Sequence, residues 1–118
     1  MSQYVEESVK SFTAGAAIGQ HTLVKLTTGK LAAAALTEEP LGTLLEASFA
    51  DGDVRPVRLR SAEGTMLCKA ANAITAGAVV YGRASGLVDD VATSAGIRIG
   101  VALEAATATN DIIEVLPC

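Results

Sequence analysis

The sequence predicts an all-β protein: a small β-barrel or sandwich built from two similar halves, with an extended N-terminal arm. Three observations predict it: an internal repeat, short runs alternating apolar and polar residues, and closely spaced glycine turns. The repeat is clearest where G-T-L-L-E-A-S-F-A-D-G-D-V-R-P-V (42–57) aligns without gaps on G-V-A-L-E-A-A-T-A-T-N-D-I-I-E-V (100–115). The two segments share Gly42/Gly100, Leu45/Leu103, Glu46/Glu104, Ala47/Ala105, Ala50/Ala108, Asp53/Asp111 and Val57/Val115. A second match, T-A-G-A at 13–16 and again at 75–78, is offset by four more residues, as if one loop differed in length.

Each half then reads as T-A-G-A, a strand, a glycine turn, a second strand, a third ending in L-E-A, a turn and a fourth. The halves span about 13–57 and 75–117 of a single β domain over 13–118, with 58–74 joining them. Residues 1–12 form a separate arm. A unit of about 45 residues cannot close a core alone, so the halves should pack on each other.

Taken in order, His21–Leu26 alternates Leu and Val with polar residues, the pattern of a half-buried strand. T-T-G-K-L (27–31) supplies the turn after it and corresponds, with a shift, to A-S-G-L-V (84–88). Leu31–Leu36 is rich in Ala, the best helix former, but is short and lacks charged spacers, which favours strand or loop. Val57-Arg58-Leu59-Arg60 alternates apolar and charged residues. Leu103–Ala108 has room for one helical turn, and Asp111–Leu116 is a β-branched run. Turn signals recur at Thr28-Gly29, Asp51-Gly52, Glu63-Gly64, Tyr81-Gly82, Ser85-Gly86 and Ala95-Gly96.

Composition narrows the function. The 118 residues are 50% hydrophobic but only 3% aromatic, so the core must be built from small and aliphatic side chains. No apolar run reaches the length of about 18 residues that a membrane helix needs. The net charge of −4 argues against a nucleic-acid binder, because neutralising phosphates needs a basic face. The N-terminus lacks the basic start and apolar run of a signal peptide, so folding in a cytoplasm is expected, with Cys68 and Cys118 reduced. Cys68, within M-L-C-K, reads as a small core residue.

Catalytic constellations are sparse. His21 is the single His, and no C-x-x-C, H-E-x-x-H, phosphate-binding glycine loop or G-x-S-x-G occurs. Metal-ligand spacing is absent as well. Glu6-Glu7, Glu38-Glu39 and Asp89-Asp90 read as solvated turns, since neighbours on a strand point to opposite faces. Asp51-Gly52-Asp53 reads as a hairpin turn rather than a calcium loop, and its recurrence at Asp111 suits a structural role. Glu46 and Glu104 either bind backbone amides or face solvent, with an active-site pair left open.

Two features point to protein contact. Arg55, Arg58 and Arg60 concentrate positive charge in an acidic chain, either as a solvated strand face or as a contact for an acidic protein surface. The arm carries Tyr4, Val5, Val9 and Phe12, including two of the four aromatics, and aromatics dominate interface energetics.

I-G-V-A-L-E-A-A-T-A-T-N-D-I-I-E-V-L (99–116) resembles the capsid cement, or decoration, proteins of tailed bacteriophages. K-L-T-T-G-K-L (25–31), P-L-G-T-L-L-E-A (40–47) and A-I-T-A-G-A-V-V-Y (73–81) follow the same family layout. The resemblance runs from residue 13 onward. It implies a small β-rich protein on the outer surface of the virion that clips neighbouring major capsid protein subunits together, commonly as a homotrimer. The resemblance implies neither catalysis nor a cofactor, and neither membrane nor nucleic acid is an expected partner. Rival readings are a head-completion or tail component, and a small β-barrel enzyme or ligand-binding module using Glu46 and Glu104.

Overall fold

The computed structural model describes residues 9–35, 38–59, 64–91 and 97–117. Ten strands run β1 (Val9–Thr13), β2 (Leu23–Thr27), β3 (Lys30–Ala33), β4 (Gly42–Leu44), β5 (Val54–Leu59), β6 (Met66–Lys69), β7 (Val79–Gly82), β8 (Val88–Asp89), β9 (Arg98–Ala102) and β10 (Ile112–Pro117). A single 3-10 turn, Ala84–Gly86, is the helical content of the described residues, so Leu103–Ala108 holds no helical turn. The strands form two five-stranded antiparallel sheets of identical order, β1-β5-β4-β2-β3 and β6-β10-β9-β7-β8. The fold is all-β and sandwich-like rather than a closed barrel. In each sheet one parallel bridge, Ala14–Leu31 or Ala70–Val88, brings the edges together at a single point.

The duplication reaches individual hydrogen bonds. Ile18 and Ser48 exchange backbone bonds, as do Ile74 and Ala106. The Ala14 amide donates to Asp53 and the Ala70 amide to Asp111; His21 donates to Leu44 and Gly77 to Ala102. These pairs equate residue 18 with 74, and residue 48 with 106. The C-terminal part of the sequence alignment therefore holds, but the T-A-G-A match does not. Thr13 ends β1 and corresponds to Lys69, whereas Thr75 precedes the turn into β7 and corresponds to Gly19. Hydrogen-bond register, set by strand pairing, overrides a four-residue identity.

Two boundaries move with it. Residues 9–13 are a strand paired along its length with β5, not an appendage. Their counterpart β6 lies inside 58–74, which supplies a strand of the second sheet rather than a mere connection. Tyr81-Gly82 also proves to be strand, because both residues pair with β8.

Turn chemistry explains much of the repeat. Phe49 and Ala50 amides donate to Asp53 Oδ2 at 2.9 and 3.2 Å. Thr107 and Ala108 amides donate to Asp111 Oδ2 at 2.8 and 3.1 Å. Each carboxylate thereby fixes the turn before its strand. The backbone bonds to each carboxylate, first of all those from Phe49 and Thr107, hold both pKa values below the usual 3.8. Thr28 and Gly29, at φ 50 and 82°, close the β2–β3 hairpin as a primed turn; Ser85 and Gly86, at φ 64 and 74°, occupy the matching place.

The cores are unequal. Ala14, Ile18, Val24, Leu31, Leu44 and Val57 fill the first half from within. Cys68, Val80, Val88, Ile99, Ile113 and Val115 fill the second, and Leu23 and Ala34 of the first half complete it. Leu23 belongs to a row across sheet 1, Val9–Arg58–Thr43–Leu23, in which paired residues share the outer face. The last three of that row are buried. The 3-10 turn seals the junction, with the Gly86 amide donating to Ala34 at 2.8 Å. A Cβ on Gly86 would stand 2.3 Å from Thr22 Cγ2 and 2.5 Å from the Leu23 carbonyl oxygen.

Two outcomes follow. Gly86→Ala is expected to destabilise by about 3 kcal/mol or more in urea unfolding, combining clash with left-handed strain. Gly29→Ala, with nothing within 4 Å of its Cβ, should cost only the backbone term of about 1–2 kcal/mol. In acid, Asp53 and Asp111 carry folded-state pKa values below the unfolded value. Their contribution is present above pH 3.8 and is lost as pH falls through the lower folded values. Asp53→Ala or Asp111→Ala should lower Tm at neutral pH and flatten its decline in acid, read by circular dichroism.

Candidate functional site

The residues expected to make contact do not form one patch. Tyr4, Val5 and Arg60 lie outside the described residues. Val9 and Phe12 sit on β1, the outermost strand of sheet 1. Phe12 is half-buried against the first core, with the Lys10 ammonium 5.8 Å from its ring centroid. An edge strand presents backbone donors and acceptors along its free side, which suits contact with another chain.

Arg55 and Arg58 are engaged within the fold. Arg55 Nε donates to the Ala47 carbonyl at 2.9 Å and Nη2 lies 3.4 Å from Asp53 Oδ2, so it braces the turn that Asp53 caps. Arg58 is 9% exposed; its Nη1 donates to Leu59 at 3.0 Å, and its charge lies close enough to be felt at Cys68. Arg55 shares the Val57 face and Arg58 the opposite one, as strand alternation predicts. Burial of the Arg58 face comes from the second half, which a single-strand reading cannot foresee.

The acidic pairs are also more structural than their composition implies. The Asp89 side chain is 1% exposed. It accepts from Asn72 Nδ2 at 2.8 Å and from the Val91 amide at 2.9 Å, with Arg83 Nε at 3.5 Å. Burial opposes its ionisation, but the Asn72 and Val91 hydrogen bonds and the Arg83 charge prevail and hold its pKa below the ordinary value. Glu38 is paired with Lys25 and accepts from the Ala35 amide at 2.9 Å. Glu39 is exposed and Asp90 half-buried, and Glu6 and Glu7 lie outside the described residues.

Glu46 is exposed, and Glu104 Oε1 accepts from the Glu114 amide at 2.9 Å. An inter-half groove of about 410 Å³ is lined by Ile18, Gly19, Lys69, Ser85 and Leu87; a second of about 360 Å³ is lined by Gly15, Thr28, Lys30 and Asp51. Neither includes Glu46 or Glu104. His21 occupies a turn at φ 64°, and burial, with Lys69 nearby, lowers its pKa, keeping it neutral at pH 7. Among the described residues no three His, Cys, Asp or Glu side chains group as a metal site.

Sequence reasoning missed the outer surface of sheet 2. Leu67, Ile112 and Leu116 are each more than 40% exposed there. Glu114 pairs with Leu67, and Leu116 with Val101, which pairs in turn with Val79, so these side chains share one face. The signal was in the alternation of Asp111–Leu116, where both phases are apolar and one must face outward.

The described residues thus show a duplicated β fold with β1 outermost in sheet 1 and an apolar outer face on sheet 2. The phage cement protein family model matches residues 5–117, and the chain belongs to that family. No curated protein sequence matches. The fold is similar to the head fiber gp8.5 N base of bacteriophage phi29, with TM-score 0.76, 17% identity and coverage of 93% of this chain and 94% of that one.

Burial raises the Cys68 thiol pKa to about 12, against a smaller opposing pull from Arg58. In a Cys118→Ser variant, the remaining thiol is expected to stay silent to a disulfide reagent at pH 8 and to react fully once unfolded by guanidinium. Asp89→Asn should cost about 3 kcal/mol in urea unfolding, because it leaves Arg83 without its buried partner.

Proposed function

We propose that this chain is a decoration protein that binds the exterior of an assembled phage head and stabilises contacts between neighbouring major capsid protein subunits. The observation that carries the reading is the family match across residues 5–117. The fold likeness to a phage head-fiber base is in keeping with it. The chain folds in the host cytoplasm and joins the virion as a homotrimer. Its mechanism is linkage: a ligand that binds only the expanded shell stabilises that shell by mass action. Many copies on one lattice reinforce each other.

Tyr4, Val5 and Val9 carry the contact with the capsid, and Arg60 adds charge attraction. Phe12 adds to the contact between subunits, whereas Arg55 and Arg58 serve the fold. The acidic net charge of −4 disfavours capture by packaged DNA.

Purified protein added to undecorated expanded heads is expected to co-sediment with them and raise their rupture temperature. Deleting residues 1–8 should weaken head binding about tenfold or more while leaving the circular dichroism spectrum and Tm unchanged. Absence of head binding at micromolar concentration would overturn the reading.

A further inference from the structure

The two halves differ at one matching place, and the difference leaves a groove. In the second half the buried Asp89 carboxylate is held by Asn72 Nδ2, the Val91 amide and Arg83. The bridges Ala14–Leu31 and Ala70–Val88 equate residue 16 with 72 and 32 with 89, and the hairpin registers equate 27 with 83. The first half therefore has Ala16, Ala32 and Thr27 where the second has the amide, the carboxylate and the guanidinium. These residues line the groove of about 360 Å³, and Ala16 and Ala32 also line the adjoining groove of about 410 Å³. Space that the second half fills with its own carboxylate stands open in the first.

The cations around this opening are unequally engaged. Lys25 is paired with Glu38, and Lys30 with Asp51 at 2.8 Å. Lys69 lines the larger groove and forms no ion pair among the described residues. It lies across Gly19, where a Cβ would stand 2.5 Å from Lys69 Nζ. Lys69 is half-buried, so salt screens its charge less than that of a fully exposed lysine. Ser85 and Asn110 line the same groove and carry hydrogen-bond donors. One wall is β3, an edge strand of sheet 1. The Leu31 carbonyl accepts from the Gly15 amide at 2.9 Å, and two residues on, alternation turns the Ala33 amide and carbonyl to the same side. An extended chain laid along this wall can use those main-chain groups together with the Lys69 ammonium.

We propose that this groove receives an extended acidic segment of a partner protein, with one carboxylate seated over Ala16 and Ala32 against the Lys69 ammonium. Charge specifies the occupant. A cation without an ion pair among the described residues, in a chain of net charge −4, selects an anion, and the matching place in the second half is filled by a carboxylate. The alanines of the floor admit a short acidic side chain, and the edge strand favours an extended backbone. The inference deepens the reading above by naming the chemistry of the capsid segment, and it rests on that reading for the capsid as partner.

The test titrates the isotope-labelled full chain with two peptides and follows its amide resonances. One peptide is acetyl-Thr-Ala-Asp-Ala-Thr-amide, and the other has asparagine in place of aspartate. The aspartate peptide is expected to move the Gly19, Ala33 and Ser85 amides and to bind about tenfold or more tightly than the asparagine peptide. Lys69→Gln should erase that preference, and Lys69→Arg should keep it. The comparison of peptides on the wild-type chain stands even if a Lys69 variant fails to fold. Equal binding of the two peptides, or shifts confined to another surface, would overturn the proposal. So would movement of the same amides on deleting residues 1–8, which would give the groove to the chain's own Glu6-Glu7 segment, or on dilution alone, which would give it to a second copy. On expanded heads, Lys69→Glu should weaken binding about tenfold or more. Head binding unchanged by Lys69→Glu would overturn this inference and leave the head-binding reading standing. A chain that takes the aspartate peptide but no heads would overturn that reading and leave the chemistry of the groove standing.

Discussion

The packing of Leu23 into the second core is the contact on which the rest of the structure depends. Neither half contains enough large side chains to bury much surface by itself, since aromatics are 3% of the chain. The first half closes on Leu31, Leu44 and Val57; the second would lie open beside Val80 and Ile113 without Leu23 and Ala34. Gly86 makes this possible. Its missing side chain lets the 3-10 turn touch the Thr22–Leu23 backbone, and its positive φ aims the amide at Ala34. A single glycine thus links turn chemistry, inter-half packing and completion of a core.

Much of this was legible in the sequence. The pairing of 42–57 with 100–115 gave β4–β5 and β9–β10 because the L-E-A and Asp positions carry turn chemistry that tolerates few residue types. Asp53 and Asp111 recur for a physical reason: a carboxylate three and four residues after two amides can cap both. T-A-G-A misled for the opposite reason. Ala, Gly and Thr make up 44 of the 118 residues, so short identities among them arise cheaply and mark no common position. β6 escaped notice because M-L-C-K is brief and apolar on both sides, with Leu67 outward and Cys68 inward.

The contact residues were less legible, because exposure is a property of the assembled sheets. Arg58 and Leu116 occupy equivalent strand positions, yet the charged one is buried and the apolar one exposed. Composition alone would assign them the other way round. Arg58 keeps a hydrogen bond in its buried place, where its Nη1 donates to the Leu59 carbonyl. Leu116 has no polar group to satisfy, and its half-exposed side chain continues the apolar outer face of sheet 2. Phe12 shows the same principle from the edge: a strand was hidden in what composition marked as an arm.

A tandem duplication joined by a heterologous contact is necessarily unfinished. The first half gives its outer row Leu23–Thr43–Arg58 to the second, while the equivalent row Val79–Val101–Leu116 covers no partner within the chain. Unlike a two-fold pair, such a chain cannot satisfy both surfaces by folding, however well its halves fit. Selection could have made the free row polar. Instead Val79, Val101 and Leu116 remain apolar, beside the exposed Leu67 and Ile112 of the same sheet. In this chain of the phage cement protein family, the apolar face of sheet 2 is the counterpart of a row that the first half buries internally, so duplication alone accounts for its position in the fold.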